Sequence, residues 1–288
     1  MNEFQQLIRL CSSAVRDPDY RAEHELKVDG LARLAQMHGL SSLLYQSVKH
    51  LKVDAPWFHA LKKEHERYIS LHLLNEGYYD EVTIAFGEAY ESGELQYCPI
   101  VLKGAHQRRT IYERVPWARP MNDLDLLIHP KDQQRAHKLM SLLEFERCSS
   151  PGPGYHRRMT HAHTWARHVS SRHTVLVDLH CRLTHAMRHQ GHAELLHRKA
   201  IKLSKSLPVW GLSLDHQIAH LALHLGHGFF RNGARSLMDL DLLLDTNEAH
   251  EIDIKDPVVK SARSNIYLAL RALNRLDQHH TLRPSTLK

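Results

Sequence analysis

The sequence predicts an α+β protein in which a small mixed β-sheet lies between helical N-terminal and C-terminal flanks. Three observations support this fold class. Apolar residues recur at three- and four-residue spacing through the first and last thirds of the chain, which is typical of amphipathic helices. Short apolar runs rich in β-forming residues occupy the middle third, which is typical of strands. A glycine ends the first of these runs, as expected where a strand turns into a helix.

Changes in this pattern divide the chain into three regions. Residues 1–95 are predicted to form an N-terminal helical region, with Pro18 and Pro56 in the breaks between its helices. Residues 96–183 are predicted to form an α/β core, and residues 184–288 a C-terminal helical region. The result is a small α/β centre between two helical flanks.

The α/β core is expected to contain five main elements. Alternating apolar residues predict strands at about 98–103, 122–129 and 174–180 in one mixed sheet. Helical spacing predicts helices at about 104–113 and 131–144 that pack on this sheet. The alternation and the glycine turn together motivate this arrangement.

The composition is that of a soluble globular protein. Of the 288 residues, 42% are hydrophobic and 24% are charged, which provides enough apolar side chain for a sizeable core. No stretch approaches the roughly 18 uninterrupted apolar residues of a transmembrane helix, and the N-terminus lacks a signal-peptide pattern. The four cysteines are scattered and form no CxxC motif, which is typical of reduced thiols. These features predict a cytoplasmic protein with no membrane partner.

Two aspartates in the second predicted strand suggest a metal site. Because successive side chains of a strand point to opposite faces, Asp123 and Asp125 share one face while Leu124 and Leu126 point into the packing. Neighbouring carboxylates repel each other, so they need a cation between them or water around them. Oxygen ligands at this spacing suit Mg²⁺, which takes one or two carboxylates together with phosphate oxygens of a substrate.

A third acid lies on the last predicted strand of the core. Alternation in VLVDLH places Asp178 and His180 on the face opposite Val177. Asp178 supplies a third ligand if its strand lies beside the strand of the acid pair. The alternative for the whole set is solvated aspartates at a strand edge, and the apolar neighbours of each acid favour the metal site.

The turn after the first predicted strand has the features of a phosphate-binding turn. Gly104 lets the chain turn tightly, and the N-terminus of the following helix presents N–H groups to an anion. Lys103 would add a point charge, and Arg119 a planar fork for phosphate oxygens. The alternative is an ordinary strand-to-helix turn.

The string DLDLL occurs a second time, within residues 239–245, and could be mistaken for a second metal site. Leu237, Leu240 and Leu244 fall at helical spacing there, and no glycine turn precedes the string as in the first copy. We therefore predict a structural helix with Asp239 and Asp241 as surface acids on different faces.

The order of these motifs resembles a known family. VLKG, then a helix, then RPMNDLDLLIHP and later VDLHCRL are similar to the bacterial uncharacterised nucleotidyltransferase family of the polymerase-beta-like superfamily. The resemblance implies that Asp123 and Asp125 form the metal-binding pair. It implies that Asp178 binds the catalytic metal and helps to deprotonate the acceptor hydroxyl, and that Gly104 belongs to the phosphate-facing turn.

The activity implied by the resemblance is Mg²⁺-dependent nucleotidyl transfer, with Mn²⁺ as an alternative metal. A nucleoside monophosphate would move from a nucleoside triphosphate to an acceptor hydroxyl or phosphate, with release of pyrophosphate. Many superfamily members carry a serine after the turn glycine, whereas this chain has Ala105 and therefore no hydroxyl. The acceptor stays open between a protein, a peptide, a small molecule and a saccharide.

Two other functions compete with this interpretation. The missing hydroxyl at Ala105 favours a catalytically degenerate protein that binds nucleotide as a regulatory or interaction module, whereas the three intact acids oppose it. The net charge of +6 would also suit a nucleic-acid-binding protein. The basic residues are mixed with acids and no nucleic-acid-binding motif is visible, which disfavours that class.

Overall fold

The computed structural model describes residues 3–22, 28–148, 162–183, 192–227, 234–245 and 251–275. The chain forms two compact units, each assembled from separated segments. The first unit contains Met1–Leu73, Gln107–Pro120 and Ile218–Lys288, and the second contains Leu74–His106 and Met121–Gln217. The three regions predicted from the sequence stay a prediction about organisation along the chain.

Ten α-helices lie in the described part of the chain. In order they are α1 (Glu3–Arg16), α2 (Val28–His38), α3 (Ser41–Val48), α4 (Pro56–Glu91), α5 (Lys103–Arg108), α6 (Gln133–Leu142), α7 (Ala193–Arg198), α8 (Leu214–His227), α9 (Ala234–Asp245) and α10 (Pro257–Ala272). Short 3₁₀ turns cover Lys49–Leu51, Pro116–Ala118 and Pro130–Asp132. No described helix combines the length and the apolar character needed to cross a membrane.

The core of the first unit is made by amphipathic helices. α1 buries Leu7 and Cys11, and α3 buries Leu44, in one apolar cluster that also contains Met238 of α9. Tyr112, which follows α5, is fully buried in the same cluster. Helical periodicity and burial therefore agree in this unit.

The second unit contains a seven-stranded mixed sheet. Its strands are β1 (Ile100–Val101), β2 (Leu124–Leu127), β3 (Glu146–Arg147), β4 (Ala162–Ser170), β5 (His173–His180), β6 (Ile201–Lys202) and β7 (Trp210–Gly211). They lie in the order β3-β4-β5-β2-β1-β7-β6. β2 runs parallel to β5, and β1 runs parallel to β7, whereas the other neighbours are antiparallel.

One apolar cluster covers this sheet. It joins Leu124 and Leu126 of β2 and Val177 of β5 to Phe86 of α4 and Met140 of α6, all of them almost fully buried. The alternate residues of β2 and β5 are thereby left for other contacts. The packing of the leucines and valines thus determines where the intervening aspartates lie.

The predicted fold class is confirmed, since a mixed sheet lies between helical segments at both ends of the chain. The three predicted strands correspond to β1, β2 and β5, and the two predicted helices to α5 and α6. α5 ends at Arg108, earlier than predicted. A turn replaces its expected last part, with the N–H of Tyr112 donating to the carbonyl of Gln107 at 2.9 Å.

Four strands were not predicted from the sequence. β3, β6 and β7 have two residues each, too few to produce an alternation pattern. In β4 the two buried residues, Trp165 and Ala166, are adjacent and do not alternate. β6 and β7 fall within residues 184–288, which were predicted to be helical, and that expectation was wrong there. β7 forms because β1 offers it an open edge for parallel pairing.

Candidate metal centre

Two predicted ligands lie opposite each other on neighbouring strands. Asp125 of β2 and Asp178 of β5 are direct partners in the parallel register. Asp178 was predicted to be a third ligand if its strand lay beside the strand of the acid pair, and the register places Asp125 and Asp178 side by side. Ligand atoms of Asp125, Asp178 and His180 all lie within 4.8 Å of one another, an arrangement compatible with metal binding.

Asp125 is the most strongly bonded acid of this group. Lys103 donates from Nζ to Asp125 Oδ1 at 2.6 Å, and His180 Nε2 lies 2.6 Å from the same oxygen. Burial raises the pKa of Asp125, but the hydrogen bond and charge of His180, with the charge of Lys103, outweigh burial and hold this pKa well below its ordinary value. Asp125 is therefore an anion at neutral pH.

Asp123 precedes β2 by one residue and has the opposite tendency. Burial raises its pKa to about 6, and the negative charge of Asp125 adds to this effect although Lys103 opposes it. Asp123 therefore keeps its proton to a higher pH than an ordinary aspartate does. A cation bound among these acids would reverse that balance.

Asp178 has an oxygen without a protein partner. Its Oδ1 atom is buried and accepts no hydrogen bond from any described residue. A buried carboxylate oxygen without a partner is costly unless a cation or water compensates it. The described group that could hold a metal ion is therefore Asp125, Asp178 and His180. Asp123 is not part of this group, and its role as a ligand stays a prediction.

The turn after β1 differs in detail from the predicted one. Lys103 has a left-handed backbone with a φ of 43°, whereas Gly104 is not among the described glycines with positive φ. The tight turn thus uses Lys103, and its side chain points back to Asp125. The methyl group of Ala105 is buried in the apolar cluster of the sheet, where a hydroxyl would have to be desolvated. Phosphate binding at this turn stays a prediction.

Arg119 belongs to the first unit, and its guanidinium is bound there. Nε donates to Asp239 Oδ1 at 3.0 Å and Nη2 donates to Asp239 Oδ2 at 2.8 Å, with Arg119 only 7% exposed. The predicted role of Arg119 in phosphate binding stays a prediction. The structure adds a structural role that the sequence did not indicate, because 120 residues separate the two partners.

The second DLDLL string is a helix, as predicted, since it lies within α9. The prediction that its acids are on the surface was wrong. Asp239 is 0% exposed and Asp241 is 8% exposed. Both can be buried because arginines neutralise them, Arg119 at Asp239 and Arg275 at Asp241.

His180 is the residue that the predicted site lacked. Alternation in β5 had already placed it on the face of Asp178, but imidazole was not counted among the ligands of a magnesium site. Its position in β5, directly opposite Leu127 of β2, brings Nε2 to Asp125. The alternation of β5 therefore indicated the face on which His180 lies. The contact between His180 and Asp125 depends on the register of β5 and β2, which the sequence does not show.

The comparisons with known proteins agree with this geometry. A family model described as uncharacterised nucleotidyltransferase matches residues 24–279. A search of curated proteins finds no match. Because the family model covers most of the chain, this protein belongs to that family of uncharacterised nucleotidyltransferases.

Proposed function

We propose that the protein is a Mg²⁺-dependent nucleotidyltransferase that moves a nucleoside monophosphate from a nucleoside triphosphate to an acceptor hydroxyl or phosphate. The observation that carries this proposal is the pairing of Asp125 and Asp178 on adjacent parallel strands, with one oxygen of Asp178 buried and lacking a partner among the described residues. The family membership supports nucleotidyl transfer as the reaction class. A polymerase-beta-like core is part of the same proposal.

Asp123, Asp125 and Asp178 would hold the metal. Bound Mg²⁺ would neutralise charge on the phosphate oxygens as the transfer proceeds. His180 bonds to Asp125 and would orient its carboxylate, as outer partners of metal ligands commonly do. If the imidazole itself became a ligand, the site would suit a softer metal than Mg²⁺, so Mn²⁺ is the first alternative to test.

The side chains of this unit would then carry the remaining steps. Asp178 would accept the proton of the acceptor hydroxyl, and the acceptor oxygen would form a bond to the α-phosphorus of the triphosphate. The bond from that phosphorus to the oxygen bridging to the β-phosphate would break, and pyrophosphate would leave with the electron pair. Positioning and charge neutralisation supply most of the rate in this chemistry, so few other catalytic groups are needed.

Lys103 would change partners during this cycle. Its ammonium lies 2.6 Å from Asp125 Oδ1 and neutralises that carboxylate. With a divalent cation held by the acids, Lys103 would be available to the triphosphate as a point charge. Gly104 is the other phosphate contact proposed in this unit. The unidentified acceptor and a cytoplasmic location are also part of the proposal.

Binding and turnover need separate measurements, because the acceptor is unidentified. Calorimetric titration with a non-hydrolysable ATP or GTP analogue and Mg²⁺ or Mn²⁺ tests binding without an acceptor. Transfer of label from α-labelled triphosphates to a component of a metabolite extract, with release of unlabelled pyrophosphate, tests transfer. Asp54→Asn is a matched control, since its side chain is fully exposed.

The two assays distinguish the candidate functions. Metal-dependent binding with pyrophosphate release in wild type, and neither in Asp178→Asn, is the expected result. Metal-dependent binding without release under any acceptor condition would instead favour the nucleotide-binding regulatory module, which the alanine at position 105 makes the second candidate. Absence of both would refute the nucleotide site.

A further inference from the structure

A second candidate site lies within the first unit, formed by residues outside the metal centre. A cavity of about 390 Å³ is lined by residues that include His38, Gly39, Arg119, His224, Arg235 and Ser236. Among the described lining residues none carries a carboxylate. The cavity therefore presents mainly hydrogen-bond donors and cationic or titratable side chains.

Arg235 is a cavity residue with incomplete hydrogen bonding. Its Nη2 atom donates to the carbonyl of Gly39 at 3.2 Å, but its Nε atom is buried without a hydrogen-bond partner among the described residues. No carboxylate in the described ranges forms an ion pair with it. Gly39 permits this approach, because a Cβ atom there would lie 1.9 Å from Arg235 Nη2. A buried guanidinium donor without an acceptor is unfavourable.

Arg119 lines the same cavity, but a neighbouring carboxylate neutralises its guanidinium. Asp239 accepts hydrogen bonds from its Nε and Nη2 atoms, so its charge is neutralised within the fold. Two arginines thus line the cavity, and one carboxylate, Asp239, lies next to it. Burial lowers the pKa of Arg235, and the charge of Arg119 lowers it further, as expected when two cations share a partly buried space.

We propose that this cavity is a binding site for a phosphate group, either as inorganic phosphate or as a phosphate monoester. Arg235 is the principal ligand, and Ser236 donates from its hydroxyl. A guanidinium fork fits a phosphate, and the hydroxyl adds a donor in another direction, which suits a tetrahedral anion with several acceptor oxygens. The site needs no metal and is independent of the nucleotidyl transfer proposed above.

Calorimetric titration of the full-length protein with inorganic phosphate, in EDTA at constant ionic strength, tests the site. We expect one phosphate per chain and binding at least tenfold weaker in Arg235→Gln. Arg33→Gln, which removes the same charge from an exposed position on α2, and Asp125→Asn should both bind like wild type. Equal binding in Arg235→Gln, or loss of binding in Asp125→Asn, would overturn the proposal.

Three further arms make the test specific. Acetate should not compete with phosphate, and equal binding of acetate would replace the phosphate site by a carboxylate site. Glycerol 3-phosphate distinguishes the two sources, because tighter binding than phosphate indicates a monoester ligand and weaker binding indicates the free ion. If Arg235→Gln does not fold, phosphate should still protect Arg235 of wild type, but not Arg33, from modification by phenylglyoxal. Unprotected Arg235 would contradict the site.

Discussion

The same five residues, Asp-Leu-Asp-Leu-Leu, occur twice in this chain and have different structures and partners. Residues 123–127 consist of Asp123 and the four residues of β2, whereas residues 239–243 lie within α9. The leucines are buried in both copies, so burial of apolar side chains does not separate them. The flanking periodicity does, because the second copy continues a helical repeat of leucines and the first alternates.

The two copies also differ in how their charges are balanced. In the strand copy, Asp125 lies opposite Asp178, the charges of both act on Asp123, and the described partners of Asp125 are Lys103 and His180. In the helix copy, a two-residue spacing turns the acids to different sides, and each meets an arginine of its own. The excess negative charge of the strand copy favours binding of a cation. The aspartate–arginine pairs of the helix copy are neutral and stabilise the fold.

The largest expected effect follows from this difference. Asp125→Asn and Asp178→Asn should each lower nucleotidyl transfer by roughly 10³-fold or more, comparable to the loss of one preorganised electrostatic group in other active sites. Pyrophosphate release at saturating Mg²⁺ and nucleotide checks this, with Asp54→Asn as the control. Near-normal release in either variant would remove the carboxylates from the proposed mechanism.

Substitution of an aspartate in the helix copy should lower the free energy of unfolding without affecting metal binding. Asp239→Ala leaves the Arg119 guanidinium and the Tyr112 hydroxyl without their buried acceptor, which should cost about 3–5 kcal/mol of unfolding free energy. Urea unfolding at equilibrium measures it. The double variant Arg119→Met with Asp239→Leu should recover much of the loss, because it removes the uncompensated charge; no recovery would contradict the ion-pair explanation.

A third effect concerns pH in the metal-free protein. The folded pKa of Asp123, about 6, lies above its ordinary value of 3.8, so the folded state binds more protons between these values. Stability should therefore fall as pH rises from 3.8 to 6, by on the order of 2 kcal/mol from this group. Unfolding of wild type and Asp123→Asn in EDTA between pH 4 and 7 tests this. The variant should lack this component, and parallel curves would refute it.

How much of this could be predicted from sequence depends on the range of the interaction. Alternation within a strand is local, and it correctly placed Asp178 and His180 on one face of β5. The ion pair between Arg119 and Asp239 depends on segments far apart in the chain, and no short pattern announces it. β7 is similar, since two residues became a strand only because β1 offered an edge.

The smallest expected effect separates Lys103 from Arg119. Lys103 neutralises Asp125 in the metal-free state and is proposed to move to phosphate when a metal binds. Lys103→Gln should therefore bind Mg²⁺ alone more tightly, because a competing cation is gone. The same variant should raise the KM for nucleotide by roughly tenfold, which corresponds to about 1.4 kcal/mol.

Arg119→Gln should mainly lower the unfolding free energy, since its guanidinium is bound to Asp239. Metal titration and nucleotide kinetics on both variants, corrected for the folded fraction, provide the measurement. Weaker Mg²⁺ binding in Lys103→Gln would show that the lysine supports the metal site and does not compete with it.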